Sequence, residues 1–586
     1  MTTAISDRPV CLIRPPAVET FRFSSLSITP PLGLAFVAGA LEHAGQRVEV
    51  LDAVTAAPET HTRYFRGYLV GQRVDDLVAR IPDDAKLVGI TALFTHEWPI
   101  IVKLVEAIKA RRPELTVVLG GEHVTSMPEF CLLTSQADIL VLGEGEETVC
   151  ELVDALDRGA PLAEMLGVAY RDGDDVVVNP RRSRTLEIDD IQRPAWHLID
   201  LDTYHAHRWM GGMWSSNKSV PILATRGCPY QCTYCSAPNM WTPRWIPRDP
   251  KKVVDEIEYY MQTFGARNFP FQDLTAIIRR EWIVEFCNEV LDRGLEFTWQ
   301  MPTGTRSEAI DAEVADLLRR TNMVSMAYAP ESGSETTRQL IKKKMKTDRL
   351  FESMECAVGA GLNVMVFMVI GFPHDTDDHI RENLEFFEKI AEIGINDAAV
   401  GFYMALPGTQ IFESLYDSGQ INMDRTYFRH ILSSTSLWAT STYSGLGRAR
   451  LTYWKFRLMR HFYSHQGKGE GARGGVTATI IDALRSLRGD GADDTKLQSA
   501  FRNGVSSAID TVKVKLRPGG WISRREERAF FRTWDGIYRE IRARNIASGA
   551  AVEGPDVHDL HKRNVTKILK ETHGTKRRIP VTVVGG

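Results

Sequence analysis

Along the first 155 residues, short runs rich in Val, Ile and Leu alternate with longer stretches in which apolar residues recur every three or four positions. The runs Val10–Arg14, Val48–Leu51, Leu87–Thr91, Thr116–Leu119 and Ile139–Leu142 predict strands. The stretches carrying Leu34, Val37, Ala38 and Leu41, then Ile101, Leu104, Val105 and Ile108, predict helices with one buried face. Strands alternating with helices predict an α/β, doubly wound (Rossmann-like) domain over residues 1–155, because parallel neighbours need a crossover between them. Ligands of such sheets sit at the carboxyl ends of the strands, which selects the loops 14–20, 52–73, 92–98, 120–128 and 143–148.

The pattern changes twice beyond this point. Val168-Ala169-Tyr170 and Val176-Val177-Val178 flank an Asp172-Gly173 step, a hairpin signal, and the polar segment through Arg181-Arg182-Ser183-Arg184 to Pro194 reads as a connector. Residues 156–219 are therefore expected to be a linker with a hairpin. From 220 to 445, strands are expected at Pro221–Thr225, Asn268–Gln272, Glu296–Gln300, Met323–Ala327, Asn363–Ile370 and Ala398–Met404, separated by helical stretches such as Val253–Phe264 and Trp282–Arg293. From 446 to 586, the spacing of Leu451, Trp454, Leu458, His461 and Phe462, and the stretch Trp521 to Arg544, predict a mainly helical cap. Its loops at 467–475 and 489–492 are glycine-bearing, and its basic tail of Lys562, Arg563, Lys567, Lys570, Lys576, Arg577 and Arg578 reads as a solvated segment.

Composition narrows the class. With 586 residues, 43% hydrophobic and 25% charged, the chain is long enough for several cores and too apolar to be largely disordered. The balance of 71 Lys+Arg against 75 Asp+Glu supplies no global field for nucleic acid or an anionic membrane. The start, MTTAISDRPVCLIRPP, lacks the apolar core of a secretory signal, and runs such as Val364 to Ile370 fall far short of a membrane span, so a cytoplasmic location without a membrane span is expected.

Two kinds of residue carry candidate chemistry. Gly120-Gly121-Glu122-His123-Val124-Thr125 follows the fourth predicted strand and Gly143-Glu144-Gly145-Glu146-Glu147-Thr148 the fifth, and both allow close backbone approach to a flat or phosphate-bearing ligand; tight turns alone would also account for the glycines. Nicotinamide dinucleotide is excluded, because the first strand runs into Arg14-Pro15-Pro16 and not a G-x-G-x-x-G turn. His197, His205 and His207, near Trp196 and Trp209, read as packed or solvated rings. The stronger signal is Cys228, Cys232 and Cys235, a C-x3-C-x2-C run after a strand. Eight cysteines in all are too few for a disulfide scaffold, and no fourth ligand at zinc spacing follows Cys235. Three thiolates can hold three irons of a 4Fe-4S cluster and leave the fourth open to a small molecule.

On the C-x3-C-x2-C run with Tyr234 before its last cysteine, and on the strand spacing that follows, the chain resembles the radical S-adenosylmethionine (SAM) enzymes, specifically their cobalamin-binding branch. The resemblance implies a partial (β/α)6 barrel over 220–445, with Cys228, Cys232 and Cys235 as metal ligands and Tyr234 near the adenine of SAM. It places Gln272 and Asp273 toward the amino acid part of SAM, Glu331 and Ser332 in a Glu-Ser-Gly-Ser turn at its ribose or amino group, Gly371 at its adenine, and Pro407-Gly408-Thr409 as the turn after the sixth strand. It makes residues 1–155 a cobalamin domain, with Pro31, Leu32, Thr95, Gly120, Gly121, Glu122, His123, Thr125, Gly143, Glu144 and Gly145 near the corrinoid. A D-x-H-x-x-G lower-ligand motif is missing, since Asp52 is followed by Ala53-Val54-Thr55. Arg63, Tyr64, Arg66 and Tyr68 then remain as residues that could lie under the cobalt, or simply form a surface segment.

The expected reaction is reductive cleavage of SAM to a 5′-deoxyadenosyl radical, followed by methylation of an unactivated carbon or a phosphorus of a small-molecule substrate, with an external one-electron reductant of flavodoxin or ferredoxin type. A cobalamin-dependent cyclase or rearrangement enzyme would share every motif. A methylthiotransferase would need a second cluster, for which Cys11, Cys131 and Cys150 are too scattered, and a non-catalytic cobalamin sensor would have no use for three clustered cysteines.

Overall fold

The computed structural model describes residues 6–20, 28–173, 175–306, 309–432, 434–440, 442–466, 520–548 and 577–579. The first region forms a sheet of β1 (Ser6–Arg14), β2 (Gln46–Asp52), β3 (Leu87–Thr91), β4 (Thr116–Gly120) and β5 (Ile139–Val141), in the order β2-β1-β3-β4-β5 and parallel throughout. The inner strands are Val/Ile/Leu runs buried on both faces, as a sheet covered by helices on both sides requires, while the edge strand β2 is only partly buried. The crossovers include α1 (Leu32–His43), α2 (Trp98–Arg111) and, after β5, α4 (Glu146–Arg158), while a short helix α3 (Glu122–Ser126) follows β4. The strand order reverses between β1 and β3, so the ligand crevice of this domain lies at their carboxyl ends.

The hairpin does not belong to a linker. Its strands, β6 (Val168–Asp172) and β7 (Asp175–Val178), extend the same sheet, β6 running antiparallel to β5 through Val141 opposite Val168. Val168, Ala169, Val176 and Val177 are buried there, which is why the segment joins a core and does not bridge two. The boundary expected at 155 thus falls inside a continuous sheet, and Arg577–Ile579 adds a further antiparallel strand beyond β7. The loop 52–73 also folds: His61–Tyr64 and Gly67–Val70 form a hairpin that pairs with Ala17–Glu19.

The barrel region carries five parallel strands in order, β8 (Asn268–Pro270), β9 (Thr298–Thr305), β10 (Met323–Glu331), β11 (Asn363–Ile370) and β12 (Asp397–Phe402). The strand expected at Pro221–Thr225 is reduced to parallel bridges of Ser219 to Asn268 and Ile222 to Phe271, with Val220 and Ile222 donating to the carbonyl oxygens of Asn268 and Pro270, so Pro221 between them costs this ladder no hydrogen bond. Thr225–Arg226 turns instead to pair with Ile246–Pro247. Helices α5 (Pro250–Phe264), α6 (Arg280–Asp292) and α7 (Asp377–Ile393) cover the outside.

The described part of the last region does not close over the barrel as one cap. Helix α8 (Arg448–His465) packs on α7 and β12, whereas Arg524–Phe530 and α9 (Trp534–Ala547) bridge the first domain and the segment 410–431 after the last barrel strand, where Tyr538 donates to Glu413 and Arg542 pairs with Asp417. The rings of Phe130 and Trp534 meet edge-on at 5.7 Å, and Trp521 packs on Tyr64 at 5.1 Å. The loops expected at 467–475 and 489–492, and tail residues Lys562, Arg563, Lys567, Lys570 and Lys576, lie outside the described residues. Among the described residues no helix is long and apolar enough to cross a membrane.

Candidate functional site

The three clustered cysteines lie in one loop between Thr225–Arg226 and the short helix Ala237–Trp241. All three are free thiols, partly buried. The loop is held from below by Asp273, a fully buried carboxylate that accepts from the backbone N–H groups of Ala224 and Thr225 and from Thr225 Oγ1. Asp273 therefore works as a clamp on the cysteine loop, and burial pushes its carboxyl up to about 6. The neighbouring Gln272 keeps its amide Nε2 buried with no hydrogen-bond partner, close against Gly211, where a Cβ would fall 2.7 Å from it.

From the other side, the turn after β10 supplies charge. Lys343 Nζ donates to Glu331 Oε1 at 3.0 Å. Burial pushes the thiols of Cys228 and Cys232 up, and the cations of Lys343 and Arg306 oppose that rise without cancelling it. The Cys235 thiol, more deeply buried, is pushed up to about 12. Glu331 sits in left-handed backbone, φ +67°, a strained placement for a residue with a side chain, and its carboxylate meets the hydroxyl of Tyr234. The Tyr234 ring packs edge-on against Phe372 at 5.5 Å. Tyr234, Glu331 and the Gly371-Phe372 turn are thus assembled beside the cysteines.

Ser332 is not available in the same way. Its hydroxyl donates to Asn383 Oδ1 and accepts from the Ser334 N–H, so it builds the turn. Gly371, at φ +93°, belongs to a second clamp in which its own N–H and that of Phe372 donate to Asp375 Oδ2.

The glycine loops of the first domain reach the same place. Gly121 adopts φ +128°, and a Cβ there would fall 2.7 Å from the carbonyl oxygen of Ala92, so the close crossing of the loops after β3 and β4 requires glycine. Thr125 ties the two loops together: its hydroxyl donates to Gly121 O at 2.8 Å and accepts from Gly143 N at 3.0 Å. Thr95 Oγ1 lies 3.2 Å from His123 Nδ1, and His123 Nε2 is buried without a partner. Desolvation lowers the His123 imidazole to about 3, so this ring is neutral. Leu93 and Phe94, at the carboxyl end of β3, are each 45% exposed, an apolar surface that fits a flat macrocycle. Pro31 and Leu32 open α1 and Gly145 precedes α4.

Two contacts, neither read from the sequence, join the domains. Glu122 of α3 hydrogen-bonds Ser236, the residue after Cys235. Arg226, two residues before Cys228, is gripped by Glu144 at 3.0 Å and Glu146 at 2.5 Å, while Arg184 holds the other oxygen of Glu144 at 2.8 Å. Glu144 thus faces arginine and not a corrinoid. A cavity of about 1360 Å³ opens behind these loops, with Thr125, Gly143 and Glu144 on one wall and Pro243, Gly408 and Tyr538 on others; the three cysteines are not among its walls. Of the residues considered for the lower face of the cobalt, Tyr64 and Tyr68 are buried, the former with its hydroxyl on His96 O, which removes them from a free surface.

Two family models match consecutive parts of the chain, the B12 binding domain over residues 20–153 and the radical SAM superfamily over residues 222–387. The chain is 26% identical over 466 residues to cytidylyl-2-hydroxyethylphosphonate methyltransferase of Streptomyces wedmorensis, covering 73% of this chain and 86% of that protein. It is 30% identical over 321 residues to an anaerobic magnesium-protoporphyrin IX monomethyl ester cyclase of Synechocystis, covering 54% and 60%. Among solved structures, the radical S-adenosylmethionine methyltransferase TsrM from Kitasatospora setae, with cobalamin and a [4Fe-4S] cluster bound, matches with a TM-score of 0.59 at 16% identity over 87% of this chain and 100% of that one. The cobalamin-dependent S-adenosylmethionine radical enzyme OxsB, with aqua-cobalamin and S-adenosylmethionine bound, matches with a TM-score of 0.58 at 14% identity over 96% and 83%. At these identities the likeness to both structures is one of fold.

Proposed function

The chain belongs to the cobalamin-binding radical SAM enzymes, and from that premise we propose that it is a methyltransferase acting on an unactivated carbon or a phosphorus of a small-molecule substrate. The observation that carries this reading is the joining of the two cofactor faces: the cysteine loop and the carboxyl ends of the β1–β5 sheet are held together through Glu122–Ser236 and through Arg226 with Glu144 and Glu146. A substrate bound between them would lie within reach of both.

When bound, a reduced 4Fe-4S cluster supplies the electron that cleaves SAM, and cobalamin supplies a transferable methyl group. Cys228, Cys232 and Cys235 would hold the cluster, with Lys343 and Arg306 stabilising their thiolates. Glu331, Tyr234 and the backbone at Gly371 would orient SAM, and the unpaired amide of Gln272 offers one more donor. The loops at Leu93–Thr95, Gly120–Thr125 and Gly143 would support the corrinoid. The fully buried Asp273 and Asp375 keep the cysteine loop and the Gly371 turn in place, the positioning that radical chemistry demands of its protein. An external one-electron donor completes the system.

The experiment is anaerobic reconstitution with iron, sulfide and cobalamin, followed by SAM and a strong reductant without substrate. Slow formation of 5′-deoxyadenosine that disappears in Cys232→Ala supports the radical assignment; none from fully loaded wild-type protein counts against it. The similarity to magnesium-protoporphyrin ester cyclases keeps cyclisation as a second reading, separated from methylation by product analysis.

A further inference from the structure

His461 and His465 stand four residues apart on α8, so both rings leave one face of the helix, and Glu388 of α7 faces them. Glu388 Oε2 lies 3.7 Å from His461 Nε2, and Oε1 lies 3.5 Å from His465 Nε2. The three atoms all fall within 4.8 Å of one another, an arrangement found once among the described residues. These spacings are too long for N–H···O hydrogen bonds, which run about 2.7–3.2 Å. They are close to the roughly 3.4 Å that separates two ligands on one tetrahedral zinc with bonds of about 2.0–2.1 Å.

The proton positions agree. His465 Nδ1 is 2.8 Å from the carbonyl oxygen of His461, which can only accept, so in the neutral ring Nδ1 carries the proton and Nε2 turns its lone pair to Glu388. His461 Nε2 is buried and makes no hydrogen bond. Ring nitrogens aimed in this way at a carboxylate can share one cation, and protonation to two His–Glu ion pairs is the arrangement that the cation would replace. The nearby Arg457 donates to the hydroxyl of Tyr453, one turn further from the histidines.

We propose that Glu388, His461 and His465 form a zinc site with water as the fourth ligand. The imidazole and carboxylate donors suit zinc, and an i,i+4 histidine pair on one helix is a preformed half-site. The site lies where α8 meets the start of β12, since Tyr463 donates to Asp397 and Gln466 to the carbonyl oxygen of Ile395. That is the opposite end of the strand from the cysteine loop. The metal is therefore a staple between α7 and α8, with no part in the chemistry.

The test uses the full chain without an affinity tag and with Cys228, Cys232 and Cys235 all replaced by Ala, so that zinc cannot occupy the cluster loop. Equilibrium dialysis against micromolar zinc chloride with metal analysis should show one zinc per chain. Glu388→Gln and His465→Ala, each added to that background, should weaken binding at least tenfold, and zinc should raise the melting temperature of the parent but not of either variant. Glu388→Gln is isosteric, so it remains informative if the histidine variant folds poorly. No zinc in the parent, or binding and melting unchanged by Glu388→Gln, would overturn the proposal.

Discussion

Replacing Arg226 with Met should loosen the joint between the two cofactor faces by removing the guanidinium, which lies between two carboxylates and over the rings of Phe36 and Trp241, at 4.9 and 5.7 Å. The Arg226 side chain is 3% exposed and its partners Glu144 and Glu146 are 9% and 14% exposed, so this is a buried ion cluster. Glu144 keeps Arg184, which leaves Glu146 as the carboxylate without a charged partner, held only by backbone N–H groups. Removing one member of a buried pair costs about 3–5 kcal/mol, because the other charge stays buried and uncompensated. Read locally by hydrogen exchange over residues 143–148 and 225–241, that cost means exchange faster by about a hundredfold or more. In the wild type, burial would raise the Glu146 carboxyl, but the Arg226 guanidinium outweighs it and holds the group below its ordinary value. Its contribution is therefore present above the unfolded carboxylate range, about pH 4.3, and is lost as the pH falls through the lowered folded value. Without the guanidinium, only the backbone N–H groups of Gly145 and Glu146 oppose burial and the carboxyl rises, so the deficit of the variant should be largest at pH 7 and should shrink toward pH 5. Adding Glu146→Gln should restore part of the protection at pH 7. Exchange within tenfold of wild type, or no relief from Glu146→Gln, would refute the reasoning.

Three further outcomes are expected. Reconstituted protein should carry about four irons and four sulfides per chain, lost when Cys228, Cys232 and Cys235 are all changed to Ala, and about eight irons would indicate a second cluster. The Co(II) form of bound cobalamin should show no nitrogen superhyperfine splitting in its electron paramagnetic resonance spectrum, because the loop after Asp52 offers no histidine two places on; clear splitting from one nitrogen would contradict this. Asp273→Ala should leave the buried N–H groups of Ala224 and Thr225 unpaired at about 1–3 kcal/mol each and lower iron loading, with Asp273→Asn recovering part of both in urea unfolding and iron assays.

The parallel sheet of the first domain was legible because its strands are short Val/Ile/Leu runs, and in the barrel Asn363–Ile370 is found with the bounds its composition predicts. The hairpin was recognised but misplaced, since nothing local in Val168–Val178 says which sheet edge its backbone will pair with. The cluster cysteines stand out through spacing alone, whereas the clamps do not. Asp273 reads like a loop carboxylate until its three donors from Ala224 and Thr225 are seen, and the pairing of Arg226 with Glu144 and Glu146 spans some eighty residues. His461 and His465 were hidden inside an amphipathic helix, and the missing signal was the H-x3-H spacing, which gains meaning only when Glu388 faces it.

The central claim, methyl transfer through cooperation of both cofactor faces, is tested most directly by turnover with methyl-deuterated SAM. Each turnover should consume two SAM molecules, one released as 5′-deoxyadenosine and one as S-adenosylhomocysteine, and the product should gain a CD3 group that Cys232→Ala fails to add. If 5′-deoxyadenosine forms with turnover while the product carries no label and no S-adenosylhomocysteine appears, methyl transfer is wrong and the same joined site serves cyclisation or rearrangement.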